Sequence, residues 1–189
     1  MNVYEREIKE YSSLNRIAKN NSIVLLGSTF AKNIPVSELS LSYGMNNDIY
    51  NRSITDLSVF DASTVIEACI KEMQPNKILI QLGETDLARG YKTIDEIITA
   101  YKSLVLKIKD SLPFCEIILI SVCNCEMPIH PEILNQALYR MASELKCIYA
   151  DISSSELNNE PYIRAFEMLK PYIRDVNISF VDAMNMIYI

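Results

Sequence analysis

The sequence predicts a three-layer α/β domain, a five-stranded parallel sheet covered by helices on both faces. Short runs rich in Ile and Val alternate along the chain with stretches whose apolar residues recur three and four apart. The runs are nearly continuous in apolar residues, as strands buried on both faces are. Parallel strands need crossover connections, and those are nearly always right-handed, so the intervening helices must lie on the sheet faces. With 189 residues, 49% of them apolar, the chain is one domain's worth at roughly 100–200 residues per domain. No repeat, linker or low-complexity stretch divides residues 1–189.

The elements follow in order. An N-terminal helix is expected over 2–19, striped by Ile8, Tyr11, Leu14 and Ala18, and the first strand is Ser22 to Leu26. A second strand, Asp48 to Asn51, is followed by a helical stripe of Val65, Ala68, Cys69 and Met73 and by a third strand, Lys77 to Leu82. The longest helix runs from Ile94 through Tyr101 to Ile108, its start favoured by Asp95 and Glu96. A strand at Cys115 to Val122 leads to a helix from Ile133 to Leu145, with Pro131 suited to its first turn, and Cys147 to Ile152 is the last strand. The apolar tail 176–189 reads as a strand, a helix or a homodimer contact.

Composition excludes several functions. The formal charge of -6, with no run of Lys or Arg, gives phosphate contacts little to work with, so no nucleic-acid partner is expected. The N-terminus lacks the apolar stretch of a signal peptide, and no run reaches the ~18 apolar residues of a membrane span. A cytoplasmic protein is expected. Five Cys, an odd number lying mostly in apolar runs, suit reduced thiols better than disulfides. Cys123-x-Cys125 with His130 lacks the further ligands a metal site needs, so neither metal nor cofactor is expected. Only four Gly and one His are present, so Gly27 and Gly83, each directly after an apolar run, are informative, and any histidine base must be His130.

Ligands of such sheets bind beyond the carboxyl ends of the strands, which directs attention to the loops starting at Gly27, Ser53, Gly83, Cys123 and Ser153. Read together, these loops resemble the SGNH (GDSL-type) hydrolases, esterases and acylhydrolases on a flavodoxin-like sheet. Gly27-Ser28-Thr29 stands where that family has Gly-Asp-Ser, Asn51-Arg52-Ser53-Ile54 where it has Asn-Arg-Gly-Ile, and Gly83-Glu84-Thr85-Asp86 where it has Gly-x-Asn-Asp. The resemblance runs from the N-terminal helix to about Tyr172. It implies a serine nucleophile, an Asp-x-x-His base and an oxyanion hole made by the serine N–H, the second-motif glycine N–H and the asparagine side chain. Carried over residue by residue, the nucleophile position holds Thr29, the glycine position Ser53 and the asparagine position Thr85. No His follows residue 130, and Glu156 is the nearest counterpart of the base.

A hydroxyl attacks only when a positioned base takes its proton, and losing one oxyanion donor typically costs ~10²–10³ in kcat. Hydrolysis is therefore expected to be feeble or absent, with a strand-end pocket that takes a small polar or acyl-bearing molecule or a partner. The alternative is a working esterase using Ser28 or Thr29 as nucleophile and His130 or Glu156 as base. Several residues keep two readings. Ser28 is a turn-bracing hydroxyl or a displaced nucleophile, and His130 borders the loop or reaches the hydroxyls. Thr85 and Asp86 brace a turn or line the site with Gly27 and Gly83, and Arg52 anchors loops or clamps an anion. A third reading takes Gly27-Ser28-Thr29 as a phosphate-cradling turn of a nucleotide or flavin binder.

Overall fold

The structure, a computed structural model, describes residues 4–123, 130–155 and 159–174. Its five strands, β1 (Ile23–Gly27), β2 (Ile49–Asn51), β3 (Lys77–Gln81), β4 (Glu116–Ile120) and β5 (Ile148–Ala150), are all parallel and ordered β2-β1-β3-β4-β5. β2 to β5 each sit inside their expected runs, one or more residues shorter, whereas β1 starts one residue later than expected and extends one residue further, to Gly27. Successive strand residues face opposite layers. Val24 and Leu26 enter the core beneath α1 (Glu5–Asn15), α4 (Ile66–Cys69), α6 (Ile94–Ser111) and α7 (Pro131–Glu144), whereas Ile23 and Leu25 enter the core beneath α2 (Thr29–Lys32), α3 (Val36–Ser42) and α8 (Pro161–Ile173). Two cores demand apolar residues at every position, which is why the strand runs are continuous rather than alternating.

Long helices follow their stripes. In α6, Ile97, Tyr101, Leu104, Val105 and Ile108 are buried, and Thr93 with Glu96 forms a reciprocal capping box at its start. α7 begins with Pro131 at its first turn.

Three expectations need correction. The helix expected over 2–19 runs Glu5–Asn15, with residues 1–3 outside the description. The stripe from Val65 to Met73 is not one helix: short 3-10 turns at Ala62–Thr64 and Lys71–Met73 flank α4. Ile66 and Ile70 are apolar besides the stripe, and all six of Val65, Ile66, Ala68, Cys69, Ile70 and Met73 are buried. A single amphipathic helix presents one apolar face; this segment winds irregularly to bury more than one. Third, α2, α3, α5 (Glu84–Arg89) and α8 were not signalled by the stripes.

The tail 176–189 and Cys125 lie outside the described residues. Among the described residues, Cys69, Cys115 and Cys147 are free thiols, and no group of three or more His, Cys, Asp or Glu is placed to hold a metal. None of the described helices is long and apolar enough to cross a membrane.

Candidate functional site

The strand order reverses between β1 and β3: the chain leaves β1 for β2 on one side, then crosses to β3 on the other. Beyond these carboxyl ends lies the crevice where such sheets bind ligands, and the first and third motifs meet there. Gly27 pairs with Gln81, and a Cβ on Gly27 would lie 2.4 Å from Ala31 Cβ and 2.6 Å from the Gln81 carbonyl oxygen. Only glycine permits that approach. Gly83 turns the chain from β3 into α5 with φ of 111°, a left-handed conformation that likewise favours glycine.

The polar groups here turn on one another. Ser28 is fully buried, its N–H donates to the Gln81 carbonyl at 3.1 Å, and its hydroxyl shares a 2.7 Å hydrogen bond with that of Thr85, itself buried. Ser53 is also fully buried. Its N–H donates to Asn51 Oδ1 at 3.0 Å, an Asn side chain bonding the backbone two residues on. Asn51 Nδ2 donates in turn to the carbonyls of Ala31 at 2.7 Å and Ile34 at 3.1 Å, tying β2 to the end of α2. Thr29 is half-buried; its hydroxyl donates to Asp56 Oδ1 at 3.2 Å and accepts the Asp56 N–H at 3.1 Å.

Asp86 accepts the Ser58 hydroxyl at 2.5 Å and the Val59 N–H at 3.0 Å, bracing the loop after β2 against α5. Arg52 is 5% exposed. Its guanidinium carbon lies 5.3 Å from the ring centroids of both Tyr11 and Tyr50, and Nε donates to Asn15 Oδ1 at 3.0 Å. Those contacts anchor α1 to the end of β2.

Sequence reasoning gave Glu84 no role. Its carboxylate accepts the Phe30 N–H at 2.8 Å and lies 3.5 Å from Gln81 Nε2, beside Ser28 and the Thr29 N–H. Burial pushes this carboxyl up, and the surrounding donors only partly offset it. Gln81 Oε1 is buried with no hydrogen-bond partner among the described residues. The signal for Glu84 was a carboxylate in the first turn of a helix, opposite the turn after β1.

His130 caps α7 from an exposed position, and among the described residues no hydrogen bond joins it to Ser28 or Thr29. Glu156 lies outside the described residues. The structure thus brings Gly27, Ser28, Gly83, Thr85 and Asp86 together, sets Ser53 beneath the neighbouring loop, and leaves His130 without a link to them.

No protein-family model matches the chain. No curated protein matches it in sequence. Solved structures do. A protein from Streptococcus pneumonia carrying the provisional name platelet activating factor superposes with a TM-score of 0.77 at 18% identity, covering 90% of this chain and 92% of that one. A GDSL-like lipase from Bacteroides thetaiotaomicron gives 0.70 at 15% identity over 88% and 96%. A carbohydrate esterase family 3 protein from Talaromyces cellulolyticus gives 0.67 at 16% over 80% and 96%. These likenesses show the fold: the chain is built as an SGNH-hydrolase α/β/α sandwich.

Proposed function

We propose that this chain is a non-hydrolytic protein on the SGNH scaffold, whose strand-end surface binds a small polar or acyl-bearing molecule without cleaving it. One observation carries the reading: the groups at the family's nucleophile, glycine and asparagine positions all have partners inside the protein. The Thr29 hydroxyl is tied to Asp56, the Ser53 N–H to Asn51 and the Thr85 hydroxyl to Ser28. An oxyanion hole acts through donors already aimed at the place where charge develops, so donors engaged elsewhere contribute nothing until those bonds break. Ser28, fully buried, has no face to offer a substrate. The Thr29 hydroxyl stays at the surface and leaves a polar contact point for a bound molecule.

The test is turnover of p-nitrophenyl acetate and butyrate together with labelling by a fluorophosphonate probe on the folded protein. No turnover above buffer and no labelling are expected. Turnover that disappears in Thr29→Ala or Ser28→Ala overturns the reading.

A second reading rests on the hydroxyl–carboxylate contact itself, in which Thr29 is a nucleophile and Asp56 takes its proton. Asp56 is exposed, and a solvated carboxylate is a weak partner for a hydroxyl whose pKa lies far above 7. Labelling of Thr29 that is lost in Asp56→Asn establishes this second reading.

A further inference from the structure

β5 is the outermost strand of the sheet, so nothing within the sheet lies beyond it. Through β5 and the segment just after it the chain alternates: Ala150 and Ile152 enter the core beneath α8, while Tyr149, Asp151 and Ser153 line the opposite side, toward α7. Gln136, Tyr139 and Arg140 stand three and four residues apart on one side of α7. Between these two rows lies a cleft of about 510 Å³, within the ordinary range for small-ligand sites.

Most of the residues lining it are polar or aromatic, and Gln136, Tyr139 and Arg140 among them are exposed. Tyr139 is 62% exposed and meets Tyr149 edge to face, with ring centroids 5.5 Å apart at 82°. That contact orients the Tyr139 ring while leaving most of it open to solvent. Asp151 accepts from the Ser121 hydroxyl at 3.0 Å and the Ser153 N–H at 2.9 Å, both at Oδ1, so Oδ2 keeps acceptor capacity. Arg140 is exposed and has no ion pair among the described residues, and Gln136 is exposed beside it. The cleft thus pairs an exposed aromatic face with a carboxylate, an amide and a guanidinium.

We propose that this cleft binds a neutral saccharide, its ring stacked on Tyr139 and its hydroxyls shared between Asp151, Gln136 and Arg140. The apolar C–H face of a pyranose matches an aromatic plane, and vicinal hydroxyls match a carboxylate that accepts beside a guanidinium that donates. An anionic ligand is disfavoured: Glu132 and Asp151 outnumber Arg140 here, on a chain of formal charge -6. The cleft lies beyond β5, so the proposal stands apart from the reading of the β1–β3 site.

The experiment titrates maltotriose, cellotriose and chitotriose into the full chain by amide NMR. Saturable shifts on α7 and at Tyr149–Ser153 are expected for at least one of them, with dissociation constants in about the millimolar range. Tyr139→Ala, an exposed change that leaves the core intact, and Gln136→Ala should each weaken binding, the former about tenfold or more. Tyr91→Ala, at an 86% exposed tyrosine elsewhere, should leave binding unchanged. Absence of saturable binding by all three sugars overturns the proposal. So does binding that Tyr139→Ala leaves intact, or that Tyr91→Ala weakens equally.

Discussion

The carboxyl ends of the strands end in two contrasting ways. Outside β1, β2 and β3, Ser28 meets Thr85, the Ser53 N–H meets Asn51, and Asp86 meets Ser58 and Val59, so the polar groups serve the fold. Outside β5, Tyr139, Gln136 and Arg140 face solvent and the carboxylate of Asp151 is only partly engaged. The difference teaches that position in a familiar fold does not by itself mark the place open to chemistry. Polar side chains at the switch point are stabilising when they bond one another, and available when they do not.

That contrast is breakable by mutation. The largest effect should come from Asp86→Ala, which strands the buried Ser58 hydroxyl and the Val59 N–H. A loss of about 3 kcal/mol in urea unfolding is expected, because each bond goes to a charged acceptor. A loss under about 0.5 kcal/mol, the range of ordinary surface changes, would show that the strand-end network is not structural.

Glu84→Gln sharpens the picture at intermediate size and opposite sign. Burial raises the Glu84 carboxyl above its ordinary 4.5, so the folded chain holds that proton more tightly than the unfolded chain. The stability linked to it is complete below 4.5 and falls as pH rises through the elevated value. Glutamine does not titrate, still accepts the Phe30 N–H, and places an N–H where Gln81 Nε2 now donates, so that a turned-over Gln81 amide can accept it through Oε1, which has no partner among the described residues. The variant should therefore be more stable than the parent at neutral pH, by about 1 kcal/mol, with the gain shrinking toward acid. Thermal melts across that range would refute the idea if the gain stayed constant or reversed.

Smallest is the stability effect of Tyr139→Ala, expected within about 0.5 kcal/mol because the ring lies mostly in solvent. Its melting temperature should barely move. A large drop would place Tyr139 with the structural set and erase the contrast between the two ends.

Much of this organisation was legible in the residues. Continuous Ile and Val runs marked β1, β3 and β4, and the three-and-four spacing marked α6 and α7. Even the Ser53 N–H had a local clue, an Asn two residues before it. Shorter elements were not legible: α2 with four residues and α5 with six hold too few turns for a period to show. In α8 the buried residues Ala165, Phe166, Leu169 and Ile173 do keep a helical spacing that the sequence carries.

The sequence by itself determined a parallel α/β/α sandwich, with three hydrolase-like motifs in order and their nucleophile, oxyanion-glycine and asparagine positions substituted by Thr29, Ser53 and Thr85. Periodicity and glycine placement are local properties, so they survive in a string of letters. Tertiary structure decided what the substituted groups do. Ser28 and Thr85 are 57 positions apart, and Thr29 and Asp56 are 27 apart. Whether such hydroxyls bond each other or face a ligand depends on how crossover helices and loops bring distant segments within about 3 Å, the hydrogen-bond range.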